Sequence, residues 1–232
     1  AVVPGPAPQS LRRAPRWAVL GLAGAILLGT AGGALWWAQM RARPASGGPA
    51  PVSADAYQHY AAGLYHWQRR EPGARAAAVR EFEAAVAIDP GYAAAWAALS
   101  GALAALAVYG TSPATEVMPR ALDAARRAVA ISPTSADAQA ALGHVLVQGE
   151  RRFDEGESRY RHALELDPRH AHARMWRALN LAHLGRLDEA IPEMRRAQQL
   201  EPRTLAYGAN LGLLRYLHRD YDGARQHLQA LV

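Results

Sequence analysis

Two hydropathy patterns divide the chain. From Trp17 to Trp37 twenty-one residues run without a charge, WAVLGLAGAILLGTAGGALWW. From about residue 54 onward, apolar positions recur at three-residue steps on one side of short amphipathic segments. Phe82, Ala85 and Ile88 precede Asp89-Pro90, and Ala125, Ala128 and Ile131 precede Ser132-Pro133. Tyr160, Ala163 and Leu166 precede Asp167-Pro168, and Met194, Ala197 and Leu200 precede Glu201-Pro202. Such steps place side chains on one helix face, and proline, which lacks an amide donor and clashes with the preceding turn, ends the helix. The four prolines are 43, 35 and 34 residues apart, close to the roughly 34-residue period of helix-turn-helix arrays. The pattern predicts an all-α chain: one transmembrane helix followed by an α-solenoid of about five helix pairs.

At about 1.5 Å per residue, the uncharged run matches a hydrocarbon core of roughly 30 Å. Trp17 stands at one end and Trp36 with Trp37 at the other, where indoles favour the headgroup level. A cleaved signal peptide is the rival reading, with Arg12, Arg13 and Arg16 as its charged region. The apolar run continues past the small residues Thr30 to Ala34 through Leu35, Trp36 and Trp37, which suits an uncleaved anchor better. Three arginines precede the span and two follow it, which orients the N-terminal side toward the cytoplasm. Gly21, Ala25, Gly29 and Gly33 recur every four residues and form a small-residue stripe on which two spans can pack as a homodimer. Residues 1–16 and 38–53, rich in proline, glycine and alanine, read as linkers on either side.

Composition changes this picture in two places. All 26 basic residues are arginine, and the net charge is +6. Five of those arginines lie in residues 1–43 without an acid, while the rest of the chain sets 21 arginines against 20 acids. The positive excess therefore flanks the span, and a nucleic-acid role for the nearly neutral repeat region loses its main support. The absence of cysteine excludes disulfides and thiolate metal sites.

The segments after residue 54 resemble tetratricopeptide repeats. The match is close in the fourth repeat, with His183-Leu184-Gly185-Arg186-Leu187-Asp188-Glu189-Ala190-Ile191, then Ala197 and Pro202. The fifth has Leu211-Gly212, Tyr221-Asp222 and Ala224. The third has Leu142-Gly143, Phe153-Asp154-Glu155, Tyr160, Ala163 and Pro168, with Gly156 where alanine is usual. The second has Trp96, Leu99, Ser100, Ala121, Ala128 and Pro133, with about nine extra residues near Tyr109 to Pro119. The first is least regular, with Gly63, Ala78, Phe82, Ala85 and Pro90. Approximate boundaries are 54–90, 91–133, 134–168, 169–202 and 203–232, the last repeat reading as truncated. Small residues such as Gly143, Ala190 and Gly212 are expected where two helices nearly touch.

The resemblance implies a concave groove lined by the first helix of each repeat. Projected onto this chain it comprises Tyr57, Tyr60, Leu64 and Trp67, then His144 and Gln148, then His172, Met175, Leu179 and His183, then Leu213 and Tyr216. This set is aromatic and apolar with some imidazole, and it lacks the basic and asparagine residues that resemble a carboxylate clamp. It suits a protein or peptide with an apolar segment. Several of these side chains could instead pack against the next repeat.

Nine histidines raise the question of metal binding. His170 and His172 are two apart, a poor spacing on a helix, and no His pair at four-residue spacing stands out. No P-loop, serine elbow, zinc-protease helix or dinucleotide fingerprint occurs, so neither catalysis nor a cofactor is expected. Linker, span and repeats together resemble the C-terminal half of ToxR-like membrane regulators. That resemblance implies an upstream winged-helix DNA-binding domain, a bacterial inner-membrane location and a periplasmic repeat domain. It implies nucleic-acid contact only through the missing domain. A receptor half of a kinase or nucleotide cyclase, or an envelope assembly scaffold, are the alternatives.

Overall fold

The computed structural model describes residues 52–69, 71–109 and 111–230. The proposed span at 17–37, its stripe Gly21, Ala25, Gly29 and Gly33, and the linker at 1–16 lie outside the described residues, as does most of that at 38–53. Among the described residues no helix is long and apolar enough to cross a membrane.

Ten helices make up the described part, joined in antiparallel pairs. They are α1 (Ala54–Gln68), α2 (Ala74–Ile88), α3 (Ala93–Val108), α4 (Ala114–Ile131) and α5 (Ala136–Glu150). There follow α6 (Phe153–Leu166), α7 (Ala171–His183), α8 (Leu187–Leu200), α9 (Leu205–Leu217) and α10 (Tyr221–Gln229). Each odd-numbered helix packs on the even-numbered one after it, and each pair packs on the next. The predicted all-α solenoid is what forms. The extra residues of the second repeat give a short loop and the longest helix, α4, which carries Pro119 in its second turn.

The turns between pairs have a common construction. Asp89 and Asp167 accept hydrogen bonds from the amides of Gly91 and Arg169 through Oδ1, both at 2.9 Å, so the carboxylate closes a turn that proline has already forced. The carbonyl of the proline is then met by a side chain six residues later. Trp96 Nε1 donates to Pro90 O at 3.0 Å, Gln139 Nε2 to Pro133 O at 2.7 Å, and Arg174 to Pro168 O at 2.7 Å. Gly208 occupies this register after Pro202 and has no side chain with which to do so.

In three of the five pairs the close contact sets glycine against a large side chain. A Cβ on Gly63 would come within 2.5 Å of Phe82, one on Gly143 within 2.9 Å of Tyr160, and one on Gly212 within 2.5 Å of Leu228. The two remaining pairs place Ser100 in register with Ala125, and Ala178 with Met194, all fully buried or nearly so. Glycine faces a large partner, serine faces alanine, and alanine faces methionine. At the three glycines close packing leaves no room for a side chain. Gly156, at the position usually alanine, has its own reason: a Cβ there would collide with Val147 Cγ2.

One expectation about the core needs correction. Ile88, Ile131 and Leu166 are exposed, although the three-residue steps put them on the buried face, and Leu200 is only half-buried. Each is the last residue of its helix, where no further turn remains to cover it. Buried Ala78, Ala121, Ala190 and Ala224 mark the packed face of the second helices instead.

Candidate functional site

The first helices of all five pairs contribute to one groove with a volume of about 680 Å³. Its lining follows helix geometry. Four registers at steps of four, three and four residues face it, and steps of that kind share one helix face. In α3 they hold Ala94, Ala98, Gly101 and Ala105; in α5, Asp137, Ala141, His144 and Gln148. In α7 the first three are His172, Trp176 and Leu179, and in α9 the first two are Ala206 and Asn210.

Eight of the twelve residues projected from sequence line this groove: Tyr60, Leu64, Trp67, His144, Gln148, His172, Met175 and Leu179. Four do not. Tyr57, Leu213 and Tyr216 are exposed outside it, Tyr216 meeting the edge of Tyr221 at 5.3 Å. His183 turns away, stacking on Phe153 at 5.4 Å and donating from Nδ1 to Leu179 O at 2.8 Å. Trp176, Tyr207, Tyr109 and Asp137 were missed. Alignment of the helix registers would have found Trp176, which stands where the neighbouring repeats have Ala141 and Asn210. Tyr207 had no such signal, because its register holds buried alanines in the earlier repeats, Ala95, Ala138 and Ala173.

Imidazoles and aromatic rings form a continuous wall on the α5–α7–α9 side. His144 stacks on Trp176 with centroids 4.4 Å apart; His172 meets the edge of Trp176 at 5.8 Å and of Tyr207 at 5.7 Å. His172 Nδ1 lies 3.0 Å from the Tyr207 hydroxyl, which donates to Glu201 at 3.3 Å. With that proton directed to Glu201, His172 Nδ1–H is the donor to the hydroxyl oxygen. Burial, then the charge of Glu201, raises the Tyr207 pKa.

His170 caps the start of α7. Its Nδ1 accepts from the Ala173 amide at 3.3 Å, so the proton of the neutral ring sits on Nε2 and is donated to Asp137 Oδ1 at 3.0 Å. That bond, followed by the nearby imidazoles, holds the Asp137 carboxyl below its usual range. Burial pushes His144 down to about 4, helped by His172, and burial also lowers His172. Both are neutral near pH 7. On the opposite wall Tyr60 packs against Phe82 at 5.9 Å and Tyr92 at 5.0 Å. Its pKa is raised by burial and then by Asp137.

No group of three or more histidine, aspartate and glutamate side chains able to hold a metal ion occurs among the described residues. Asp137 with His170, and His172 with Tyr207, are engaged with each other, and the surface beside them is largely aromatic and aliphatic, with Gln148 and Asn210 among the lining residues.

This is the fold and groove of a tetratricopeptide-repeat solenoid. Residues 140–203 match the tetratricopeptide repeat family model. Among solved structures, a thermophilic tetratricopeptide-repeat protein of Thermus thermophilus is similar over 76% of this chain and 89% of that one, with TM-score 0.63 and 21% identity. PilF of Pseudomonas aeruginosa is similar over 76% and 75%, with TM-score 0.56 and 23% identity. MamA of Desulfovibrio magneticus RS-1 is similar over 78% and 94%, with TM-score 0.51 and 18% identity. At these identities the likeness is one of fold. No curated protein matches the sequence.

Proposed function

We propose that the repeat domain is a protein-binding module that takes an apolar segment of a partner into its concave groove. One observation carries the reading. Tyr60, Leu64, Trp67, Met175, Trp176 and Leu179, from the first helices of separate repeats, converge on a single groove of about 680 Å³. Grooves lined this way, with a few fixed polar groups, are the usual form of a recognition site. The absence of a basic clamp among the lining residues favours a hydrophobic contact over capture of an acidic tail.

The wider context we infer from the sequence. The uncharged run at 17–37 tethers the module to a bacterial inner membrane with the repeats in the periplasm. The module is then the sensory half of a transmembrane transcriptional regulator whose DNA-binding domain precedes Ala1.

Photo-crosslinking tests the groove. A benzoylphenylalanine introduced at Leu64 or Gln148 of the membrane-inserted chain is expected to form a discrete crosslinked protein species. The same group at Arg161, on α6, is expected to form none. Equal crosslinking at all three positions would remove the groove reading. Sequencing the coding DNA upstream of Ala1 tests the context: a basic winged-helix segment supports it, and a kinase loop or an immediate start codon ends it.

A further inference from the structure

We propose that the groove selects a non-acidic apolar segment that brings one basic side chain to Asp137. The proposal rests on the reading of the groove as the partner site and adds the chemistry of what enters it.

The first ground is charge. Twenty-one arginines follow residue 43, yet among the described residues none lines the groove. Arg174 and Arg177, beside lining residues of α7, pair with Glu193 and Glu157, and Arg169 and Arg203, next in sequence to His170 and Thr204, are not themselves lining residues. Arg75 stacks on Tyr109 at 3.9 Å and is itself not a lining residue. Among the described residues Asp137 is the one lining carboxylate. Its Oδ1 is bonded to His170, and Oδ2 keeps its acceptor capacity. Glu201, behind Tyr207, adds to the negative sign. An acidic segment would meet these two carboxylates with no described cation in the wall to offset them, whereas a basic one is complementary.

The second ground is shape. Ala94 stands in the register of Asp137 one repeat earlier, and with Ala98 and Gly101 it makes the floor beside that carboxylate small. A Cβ added at Gly101 would meet nothing within 4 Å. The α3 floor is therefore lined by small residues from the register of Asp137 to that of His144. A large apolar anchor seated on the α3 floor would leave a neighbouring arginine or lysine within reach of Asp137, its stem lying along aromatic surface.

The test uses the full chain in detergent and a displayed library of random 16-residue peptides as the probe. Selected peptides are then measured against Gly101→Trp and Ala94→Trp, which fill the floor, and against Asp137→Asn and Asp137→Glu, with circular dichroism confirming helicity. The expected peptides combine tryptophan, phenylalanine or leucine with arginine or lysine and are poor in acids. Filling the floor abolishes their binding; Asp137→Asn weakens it about three- to fivefold, as for an exposed ion pair, and Asp137→Glu restores it. Peptides that need the open floor but are acidic, or indifferent to Asp137→Asn, would overturn the charge selection and leave the groove standing. Peptides indifferent to both floor-filling variants would overturn both.

Discussion

Repeats two and four share one backbone plan and fill it in opposite ways. Helix α3 is buried on almost every side by alanine and leucine, and its groove face is all small: Ala94, Ala98, Gly101 and Ala105. Helix α7 carries His172, Trp176 and Leu179 on that face, and on another side Arg174 and Arg177 reach into the joint with α6 and α8. Arg177 bonds Glu157 and Glu193, both at 2.9 Å, and Arg174 bonds Glu193 at 2.6 Å. The exposures of Arg177, Glu157 and Glu193 are only 17%, 9% and 19%. Repeat two is joined to repeat one by an ion pair too, Arg120 with Glu83, but it lies at the surface. What the two repeats share is an antiparallel helix pair closed by a proline turn. The groove face and the outer joint are free to differ.

Removing one member of each network breaks this comparison most sharply. Arg177→Ala leaves the buried Glu157 without its cation while Glu193 keeps Arg174, and Glu157 Oε2 has no partner among the described residues even now. A loss of about 3 kcal/mol or more in a urea melt is expected. Arg120→Ala is expected to cost below about 1 kcal/mol. Equal losses would mean that burial does not separate the two pairs.

Acid sharpens it next. His144 has a folded pKa of about 4 against an unfolded value of about 6.5. Below pH 6.5 the unfolded chain takes up a proton that the folded chain refuses, so stability falls as pH falls and levels off near pH 4. The effect is up to about 3 kcal/mol, on the order of the pKa difference. His144→Gln should flatten the stability–pH curve over that window, and an unchanged slope would show that His144 is not its source.

Two glycine substitutions have opposite signs. Gly143→Ala drives a Cβ against Tyr160 and is expected to cost about 1–2 kcal/mol. Gly101→Ala, which meets only open groove, should stabilise by about 0.5–1 kcal/mol through helix propensity. Smallest is Arg219→Gly. Arg219 holds φ at 65°, where the equivalent turn of repeat four has Gly185 at 75°. A gain of a few tenths to about 1 kcal/mol is expected in thermal denaturation. No gain would locate the strain elsewhere.

The repeat architecture was legible because proline spacing and small-residue positions are local signals, each carried by one or two residues. The groove was partly legible for the same reason: His144, His172 and Leu179 fall at family positions. Tyr57, Leu213 and Tyr216 were projected in the same way and yet lie exposed outside the groove, although their helices supply other lining residues. Tyr207 was invisible, because only its neighbours His172 and Glu201, 35 and 6 residues away in sequence, draw its ring into the wall. The side chains that satisfy the proline carbonyls were hidden as well. Tryptophan, glutamine and arginine have nothing in common but a donor and reach, and a search by residue type passes over them.

The close contacts within the helix pairs have a consequence for inheritance. Gly63 meets Phe82 and Gly143 meets Tyr160, glycine against a large ring, whereas Ser100 and Ala125 are both small. A recombination that joined α1 to α4 would bring glycine against alanine and leave a hole; one that joined α3 to α6 would press serine into tyrosine. Crossovers at the proline turns keep each first helix with the second helix it is fitted to. The unit that such a gene can duplicate, delete or trade is therefore the helix pair, cut at proline, and never the single helix.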